Sequence, residues 1–285
     1  MNNFKILLPL YNDWRSCDLL LKRISDQLKK RKRMAEIIIL DDASTQKTNL
    51  SLSNLKNIKS IKILKMKENL GSQKIISIGL DYLKNNKEEI ITIMDSDGED
   101  DVTQINNLID AAEKNKKYVI VASRTKRKES LIFRFLYKIH LLITFFLTFK
   151  WISFGNYSSF HSGNIKKILK NKYSWLAYSS CISLNCKIKK VRSSRQKRFF
   201  GKSKLSFLGL FNHSLRVISV YQSKILFVSS IYLMVIFTLR AYINFFEIII
   251  CCIIFFNFLI HFIKRKNLQN YSDKFNFIEK RLKVK

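Results

Sequence analysis

The hydrophobic residues of the first 125 positions fall into short continuous runs, and the segments between those runs have helical spacing. A continuous apolar run of about four to eight residues predicts a strand buried on both faces. Strands of this kind alternating with helices predict an α/β fold with a mostly parallel sheet and helices on both faces. The predicted strands are 4–8, 37–40, 61–64, 90–94 and 118–122, and the predicted helices are 13–32, 72–83 and 105–112.

Acidic residues follow two of these strands. Asp41 and Asp42 come after the second predicted strand, and Asp95 and Asp97 come after the fourth. Because such sheets bind ligands beyond the carboxyl ends of their strands, we expect these carboxylates at a ligand site. Asp95, Asp97 and the nearby Glu99 offer hard oxygen ligands, which Mg²⁺ or Mn²⁺ prefers and shares with substrate phosphates. The alternatives are a solvated acidic turn for this group and helix capping for the first pair.

The pattern changes from about residue 131. Residues 131–152 are apolar except for a thin polar stripe, which predicts a helix lying in a membrane interface, with a buried soluble helix as the alternative. Two longer apolar runs follow at 225–239 and 245–263, about 22 and 28 Å long as helices, against a bilayer core of about 30 Å. Basic residues flank the pair, which predicts a two-helix transmembrane hairpin with both flanks in the cytoplasm. A helical hairpin in a soluble core is the alternative.

Composition narrows the function classes. The formal charge is +31, from 52 Lys and Arg against 21 Asp and Glu, and it favours anionic surfaces such as nucleic acid or lipid headgroups. A hydrophobic content of 47% excludes a disordered basic tail. The 5 cysteines include no CxxC pair, which argues against a disulfide framework and favours a reducing, cytosol-facing compartment. The apolar run before Pro9 is too short for a secretory signal.

Four short motifs stand in the order and spacing of inverting family 2 glycosyltransferases with a GT-A fold. They are residues 8–13 (LPLYND), 41–44 (DDAS), 69–71 (NLG) and 95–97 (DSD), and this resemblance covers about residues 4–125. Residues 198–204, RFFGKSK, resemble the RxxGxSK segment of dolichol-phosphate mannose synthase and bacterial polyprenyl-phosphate glycosyltransferases. A membrane hairpin after that segment is typical of the bacterial branch.

The resemblance implies a role for each matching residue. Binding of the nucleotide sugar is implied for Pro9, Tyr11, Asp13, Asp42, Gly71, Asp95 and Ser96. Metal binding is implied for Asp95, Asp97 and Glu99, with Mg²⁺ or Mn²⁺ as the cofactor. Acceptor-phosphate binding is implied for Arg134, Arg195, Arg198, Ser203 and Lys204, and participation in catalysis for Asp97, Arg124 and Arg198. The alternatives for the arginine-rich segment are a basic patch against anionic lipids and a lid over the donor diphosphate.

The sequence departs from the family pattern at two positions. Val102 stands where the family usually has proline after the acidic motif, and Asn156 stands where relatives have an acidic residue proposed as a base. A sugar hydroxyl acts as a nucleophile only when a base removes its proton. A phosphomonoester is already largely ionised at pH 7, because its second pKa is about 6, and it therefore needs no base. The missing carboxylate therefore favours a lipid-phosphate acceptor.

These observations predict a membrane-bound inverting glycosyltransferase that moves a sugar from a nucleotide-sugar donor to polyprenyl phosphate. We expect it in the inner membrane, multi-pass, with its catalytic domain in the cytoplasm; assembly as a homo-oligomer is left open. The predicted regions are a nucleotide-sugar-binding core (1–125), an acceptor-side region with interfacial helices (126–222), the hairpin (223–264) and a cytosolic tail (265–285). One alternative is a family 2 transferase acting on a saccharide or lipid-linked glycan hydroxyl. The other, a basic membrane or nucleic-acid-binding protein, leaves the strand-end carboxylates unexplained, so no nucleic acid partner is expected.

Overall fold

The computed structural model describes residues 3–48, 50–85, 88–124, 131–201, 207–242 and 245–285. The strands are β1 (Asn3–Leu10), β2 (Ala35–Asp41), β3 (Ile58–Met66), β4 (Glu89–Ile93), β5 (Tyr118–Arg124), β6 (Phe154–His161), β7 (Lys187–Ser193) and β8 (Ile278–Lys283). The helices are α1 (Trp14–Lys29), α2 (Ser72–Tyr82), α3 (Ile105–Lys114), α4 (Leu131–Thr148), α5 (Ile165–Leu169), α6 (Tyr178–Asn185), α7 (Phe207–Ser219), α8 (Gln222–Thr238) and α9 (Phe246–Leu268). Short 3₁₀ turns cover Val102–Gln104, Ser162–Asn164, Lys170–Trp175 and Lys274–Phe277.

The described strands form one sheet in the order β7-β5-β6-β4-β1-β2-β3-β8. Strands β4, β1, β2 and β3 are parallel, and β5 is parallel to β7. Strand β6 runs antiparallel to β4 and β5, and β8 runs antiparallel to β3. The predicted α/β class with a mostly parallel sheet is therefore confirmed, and the five predicted strands correspond to β1–β5.

A hydrophobic core lies on each face of the sheet, because successive residues of a strand point to opposite sides. In β1, Ile6 and Leu8 pack into the core that includes α1 and α3. The residue between them, Leu7, packs into the core that includes α2, α5 and α6. All three side chains are fully buried. Helices cover both faces of the sheet as predicted.

Strand β6 was not predicted, because its sequence FGNYSSFH is polar. Its serines are nevertheless fully buried. The Ser159 hydroxyl pairs with Thr92 at 3.0 Å, and the Ser158 hydroxyl pairs with the Tyr178 hydroxyl at 2.8 Å. Hydroxyl groups that form hydrogen bonds with one another can be buried at little cost in free energy, so a buried strand of this kind shows no hydrophobic pattern. Through β6 and β7, the predicted acceptor-side region contributes to the same sheet as the predicted core.

The C-terminal helices α8 and α9 pack side by side in opposite directions. The Asn257 amide of α9 donates to the Ser229 hydroxyl of α8 at 2.9 Å, and Gln222 and His261 are 2.8 Å apart near the other end. Among the described helices, α9 alone is long and apolar enough by itself to cross a membrane. Helix α8 passes the same criteria only together with α7, to which it is bent by 82°. The composition thus supports one membrane-crossing candidate, and a second remains a prediction.

The region 265–285 was predicted as a cytosolic tail, but its first residues complete α9 and its last part returns to the sheet as the edge strand β8. The pairing continues past the strand, since the amide of Ile61 donates to the carbonyl of Lys285 at 3.1 Å and the amide of Val284 donates to the carbonyl of Ile61 at 2.9 Å. An edge strand pairs through its backbone and can leave its side chains in solvent. For that reason the polar sequence of β8 did not predict a strand.

Candidate active site at the carboxyl edge of the sheet

The loops that follow β1 and β2 are joined through one side chain. The Asn12 carbonyl oxygen accepts hydrogen bonds from the amides of Thr45 at 2.8 Å and Gln46 at 3.0 Å. The backbone N–H of Asn12 also donates to the Ser44 hydroxyl at 2.9 Å. These contacts hold the end of β1 with Pro9, and the loop with Tyr11 and Asp13, next to the loop that carries Asp42. The structure thus brings Pro9, Tyr11, Asp13 and Asp42, four of the residues predicted to bind the nucleotide sugar, to one edge of the sheet.

Asp42 is buried and holds the loop before α2. Its two carboxylate oxygens accept hydrogen bonds from the amides of Leu70 at 2.7 Å and Gly71 at 2.9 Å. Burial raises the pKa of Asp42, while these two hydrogen bonds act in the opposite direction. Gly71 has φ +87°, a left-handed conformation that glycine adopts without strain. Asp42 therefore positions the Gly71 turn beside the edge, in addition to any contact with a ligand.

The loop after β4 carries the acidic motif. Its first residue, Asp95, donates its amide to the carboxylate of Asp100 at 2.9 Å, and Asp97 accepts from the amide of Glu99 at 3.0 Å. Burial, together with the charges of Asp95 and Glu99, raises the pKa of Asp97 to about 6. Crowded, partly buried carboxylates of this kind gain from a nearby cation. Ser96 lies between them and is also buried.

Two arginines of the segment after β7 supply positive charge to this loop. Arg198 donates from Nη1 to Asp97 at 3.0 Å and from Nη2 to Asp13. Arg195 donates from Nε to Glu99 at 3.0 Å and pairs with the same carboxylate through Nη2. The guanidinium groups predicted to bind the acceptor phosphate are therefore paired with the carboxylates predicted to bind metal and nucleotide.

Backbone and aromatic contacts fix this segment on the acidic loop. The amide of Phe199 donates to the carbonyl of Asp97 at 3.0 Å. Its ring packs so closely on Gly98 that a Cβ atom there would lie 2.5 Å from the ring. The guanidinium of Arg23 stacks on the same ring at 4.4 Å from its centroid. We call residues 194–200 the clasp segment.

A short hydrogen-bonded chain continues from the acidic loop to the other face of the sheet. The Asn156 amide donates to Asp95 at 3.1 Å, and Gln73 donates to the Asn156 carbonyl oxygen at 3.2 Å. Gln73 also accepts from the amide of Tyr178 at 2.7 Å. Sequence reasoning missed Gln73, although its place two residues after the Gly71 turn was a signal. At position 156 an amide can donate to Asp95, whereas a second carboxylate would repel it.

Four of the predicted site residues have no described side-chain geometry. Arg124 ends β5 and Arg134 lies in α4, and for both only the backbone is described. Ser203 and Lys204 lie outside the described residues. Their predicted roles stay predictions.

The acidic loop fits a divalent cation by its chemistry, although no three His, Cys, Asp or Glu side chains within the described ranges are grouped to hold one. Mg²⁺ usually binds through one or two carboxylates, water and the phosphates of the substrate rather than through a full protein cage. Asp95, Asp97 and Glu99 offer hard oxygen donors of the required type. Two of the three are paired with arginines here, so a metal would have to replace a guanidinium.

The fold and this edge define an α/β protein with a candidate ligand site at the carboxyl ends of its strands. The model of the Glycosyl transferase family 2 matches residues 5–172, which is more than half of the chain. The chain therefore belongs to glycosyl transferase family 2. The predicted glycosyltransferase class is confirmed at the level of this family.

Two curated relatives and one solved structure illustrate the similarity. The chain is 24% identical over 223 residues to an uncharacterized glycosyltransferase of Synechocystis sp., covering 74% of this chain and 66% of that protein. It is 23% identical over 131 residues to the dodecaprenyl-phosphate galacturonate synthase of Rhizobium johnstonii, covering 45% of this chain and 38% of that protein. The chain thus spans less than two thirds of either relative. The crystal structure of S. aureus TarS 1-349 in complex with UDP-GlcNAc superposes with a TM-score of 0.47 at 15% identity, covering 78% of this chain and 66% of that one.

Proposed function

We propose that this protein is a membrane-bound inverting glycosyltransferase that transfers a sugar from a nucleotide-sugar donor to polyprenyl phosphate at the cytoplasmic face of the inner membrane. The observation that carries the proposal is the short path from the acidic loop to the apolar helices. Asp95 connects through Asn156 and Gln73 to the first residue of α6, and α6 and α9 both pack against α7. The name of the Rhizobium relative, a dodecaprenyl-phosphate galacturonate synthase, supports a polyprenyl-phosphate acceptor.

The exposed apolar surface supports attachment to a bilayer. Large hydrophobic side chains project from α4, α8 and α9, and a water-soluble protein seldom exposes so many together. Examples, with their exposed fractions, are Phe146 (58%), Phe227 (68%), Met234 (74%), Phe255 (66%) and Phe258 (66%). We propose that α4 lies in the interface and that α8 and α9 cross as a hairpin, with the turn at residues 239–242 on the far side. The catalytic edge then stays in the cytoplasm.

The reaction needs a nucleophile, a leaving group and charge compensation. An oxygen of the acceptor phosphate attacks the anomeric carbon and forms the new C–O bond, while the bond to the nucleoside diphosphate breaks on the opposite face, which inverts the configuration. The phosphate is already ionised near pH 7, so no side chain has to remove a proton. This agrees with an amide rather than a carboxylate at Asn156. A divalent metal bound by Asp95, Asp97 and Glu99 would stabilise the charge of the leaving diphosphate.

The clasp segment has to rearrange for this reaction. A metal and a donor bound at the acidic loop would displace the guanidinium groups of Arg195 and Arg198 from Glu99 and Asp97, and would let both groups turn toward phosphate. Guanidinium groups bind phosphate oxygens through two parallel hydrogen bonds. We propose that Arg195 and Arg198 then contact the acceptor phosphate together with Arg134, Ser203 and Lys204, while Arg124 faces the donor diphosphate.

A donor and acceptor panel tests this proposal. The purified protein in nanodiscs is incubated with UDP-, GDP- or dTDP-sugars, with undecaprenyl phosphate or without it, and with Mn²⁺ or EDTA. We expect a lipid-linked sugar phosphodiester, detected by mass spectrometry, with one class of donor and only when metal and lipid phosphate are present. Transfer to a saccharide hydroxyl with no requirement for polyprenyl phosphate would contradict the proposal and favour a polysaccharide-type acceptor.

A further inference from the structure

Two basic residues, Lys74 and Arg216, lie within electrostatic range of each other near the C-terminal helices. Lys74 lies in the first turn of α2, with its ammonium 5.4 Å from the centroid of the buried Trp175 ring. Arg216 lies on α7, and its Nε atom is buried without a hydrogen-bond partner. Both side chains are half-buried, and within the described ranges neither forms an ion pair with a carboxylate. In this they differ from Arg195 and Arg198.

The electrostatics of this pair favour an anion between them. Burial lowers the pKa of Lys74, and the charge of Arg216 lowers it further. Burial also lowers the pKa of Arg216. Glu68 and Asp42 act in the opposite direction on Lys74, but both Asp42 oxygens already accept backbone hydrogen bonds. Two like charges in a partly desolvated place are unfavourable, and a bound anion removes that cost.

The location connects this pair to the reaction. Lys74 follows Gln73, which reaches Asp95 through Asn156. On the other side, the residue after Arg216 is Val217, which packs into the same hydrophobic core as Trp175 and as Ile260 of α9. Lys74 therefore lies on the helix that reaches the acidic loop and Arg216 on the helix that packs against α9, so a lipid headgroup bound by both would lie between the apolar helices and the donor.

We propose that Lys74 and Arg216 form a binding site for the phosphomonoester headgroup of the lipid acceptor, an inference that rests on the proposed function. The guanidinium of Arg216 takes two phosphate oxygens and the ammonium of Lys74 takes one. The site is available while the clasp segment is closed, since it uses neither of the arginines that the acidic loop binds. The lipid phosphate can then be held before the clasp segment opens.

Binding measurements on the full chain in nanodiscs test this site. The probe is farnesyl phosphate, with farnesol as its uncharged counterpart and glycerol 3-phosphate as a soluble phosphomonoester. We expect Lys74→Gln and Arg216→Gln each to weaken farnesyl phosphate binding by about 10- to 150-fold, the equivalent of one charge-assisted hydrogen bond. Binding of farnesol and of UDP with Mn²⁺ should be unchanged. Arg216→Lys should keep part of the affinity, because it keeps the charge and loses the planar fork.

A matched control removes the same charges elsewhere. Lys59 and Arg192 are exposed on β3 and β7, and the variant Lys59→Gln/Arg192→Gln should bind farnesyl phosphate as the wild type does. Retained UDP binding shows that a variant is folded. If a glutamine variant loses it, the charge-preserving Arg216→Lys and Lys74→Arg carry the test.

The outcomes separate this inference from the proposed function. Wild-type affinity for farnesyl phosphate in folded Lys74→Gln and Arg216→Gln proteins overturns the site and leaves the proposed function standing. If the wild type binds no farnesyl phosphate and transfers no sugar to polyprenyl phosphate, the proposed function itself fails. Equally tight binding of glycerol 3-phosphate, lost in the same variants, overturns the assignment to a lipid.

Discussion

Arg198 pairs with Asp97, a predicted metal ligand, and with Asp13, a predicted nucleotide-binding residue, so its removal separates metal binding from transfer. While Arg198 is paired with Asp97 and Asp13, its guanidinium supplies the positive charge that a metal would otherwise supply. A cation that binds Asp97 has to break this contact first. We therefore expect Arg198→Ala to bind Mn²⁺ more tightly than the wild type in the absence of nucleotide, although it should transfer sugar more slowly.

The magnitude follows from the contact itself. The Nη1 atom of Arg198 lies 3.0 Å from Asp97, and the two side chains are 17% and 18% exposed, so solvent screens the pair only partly. A hydrogen bond between charged groups at such a place contributes about 1.5–3 kcal/mol. In Arg198→Ala, Mn²⁺ no longer has to displace this hydrogen bond, so the dissociation constant of Mn²⁺ should fall about 10- to 150-fold, at about 1.4 kcal/mol per factor of ten.

Electron paramagnetic resonance measures free Mn²⁺ directly during titration of metal-free protein. Arg192→Ala is the matched control, because Arg192 is exposed on β7 and forms no ion pair in the part of the chain that is described. Asp97→Asn removes the predicted ligand and should bind Mn²⁺ more weakly than the wild type. The unfolding temperature of Arg198→Ala should fall without metal and rise on addition of Mn²⁺, because a ligand that binds only the folded state stabilises it.

Unchanged Mn²⁺ affinity in Arg198→Ala would refute this reasoning. If Asp97→Asn bound Mn²⁺ as tightly as the wild type as well, the acidic loop would not be the metal site. If only Asp97→Asn lost affinity, the loop would bind metal without competition from Arg198, and the clasp segment would have another role.

Two further predictions concern the fold and the topology. Asp42→Asn replaces one acceptor oxygen with an NH₂ group that faces a backbone N–H, and we expect a loss of about 1–3 kcal/mol in the free energy of unfolding. Chemical denaturation measures this loss. Asp41 accepts a hydrogen bond from the backbone N–H of Ser44, which the side-chain oxygen of asparagine can also accept, so Asp41→Asn should lose less stability. In a cysteine-free background, Tyr242→Cys should react with an impermeant thiol reagent only from outside the cell, and Lys283→Cys only after the membrane is opened. Outside labelling of Lys283→Cys would contradict the proposed hairpin.

The regular part of the fold could be predicted because each parallel strand is apolar along its whole length. Strand β2 was predicted at 37–40 and observed at Ala35–Asp41, and α2 was predicted at 72–83 and observed at Ser72–Tyr82. The grouping of acidic residues at the carboxyl edge followed from the same pattern. Strands β6, β7 and β8 could not be predicted, since their polar side chains are satisfied by partners distant in sequence or remain exposed.

The pairing of the clasp segment could not be predicted either. The stretch from Arg192 to Lys204 contains no acidic residue, so its sequence neighbours offer no partner. The partners that the fold supplies are distant, because Asp97 lies 101 positions before Arg198 and Asp13 lies 185 positions before it. Ion pairs of this kind depend on how loops approach one another across the sheet edge, and neither hydrophobic periodicity nor a local motif encodes that approach.

Strand β8 gives the apolar helices a second covalent connection to the sheet. The chain leaves the sheet from β7, passes through α7, α8 and α9, and returns through β8 at the opposite margin. As the outermost strands, β7 and β8 lie roughly 34 Å apart at about 4.8 Å between neighbours. With one connection the sheet could rotate relative to the apolar helices, whereas two connections at this spacing restrict that rotation. If the proposed transfer to a lipid headgroup is correct, β8 provides a second attachment that would keep the carboxyl edge at a fixed distance from the apolar helices.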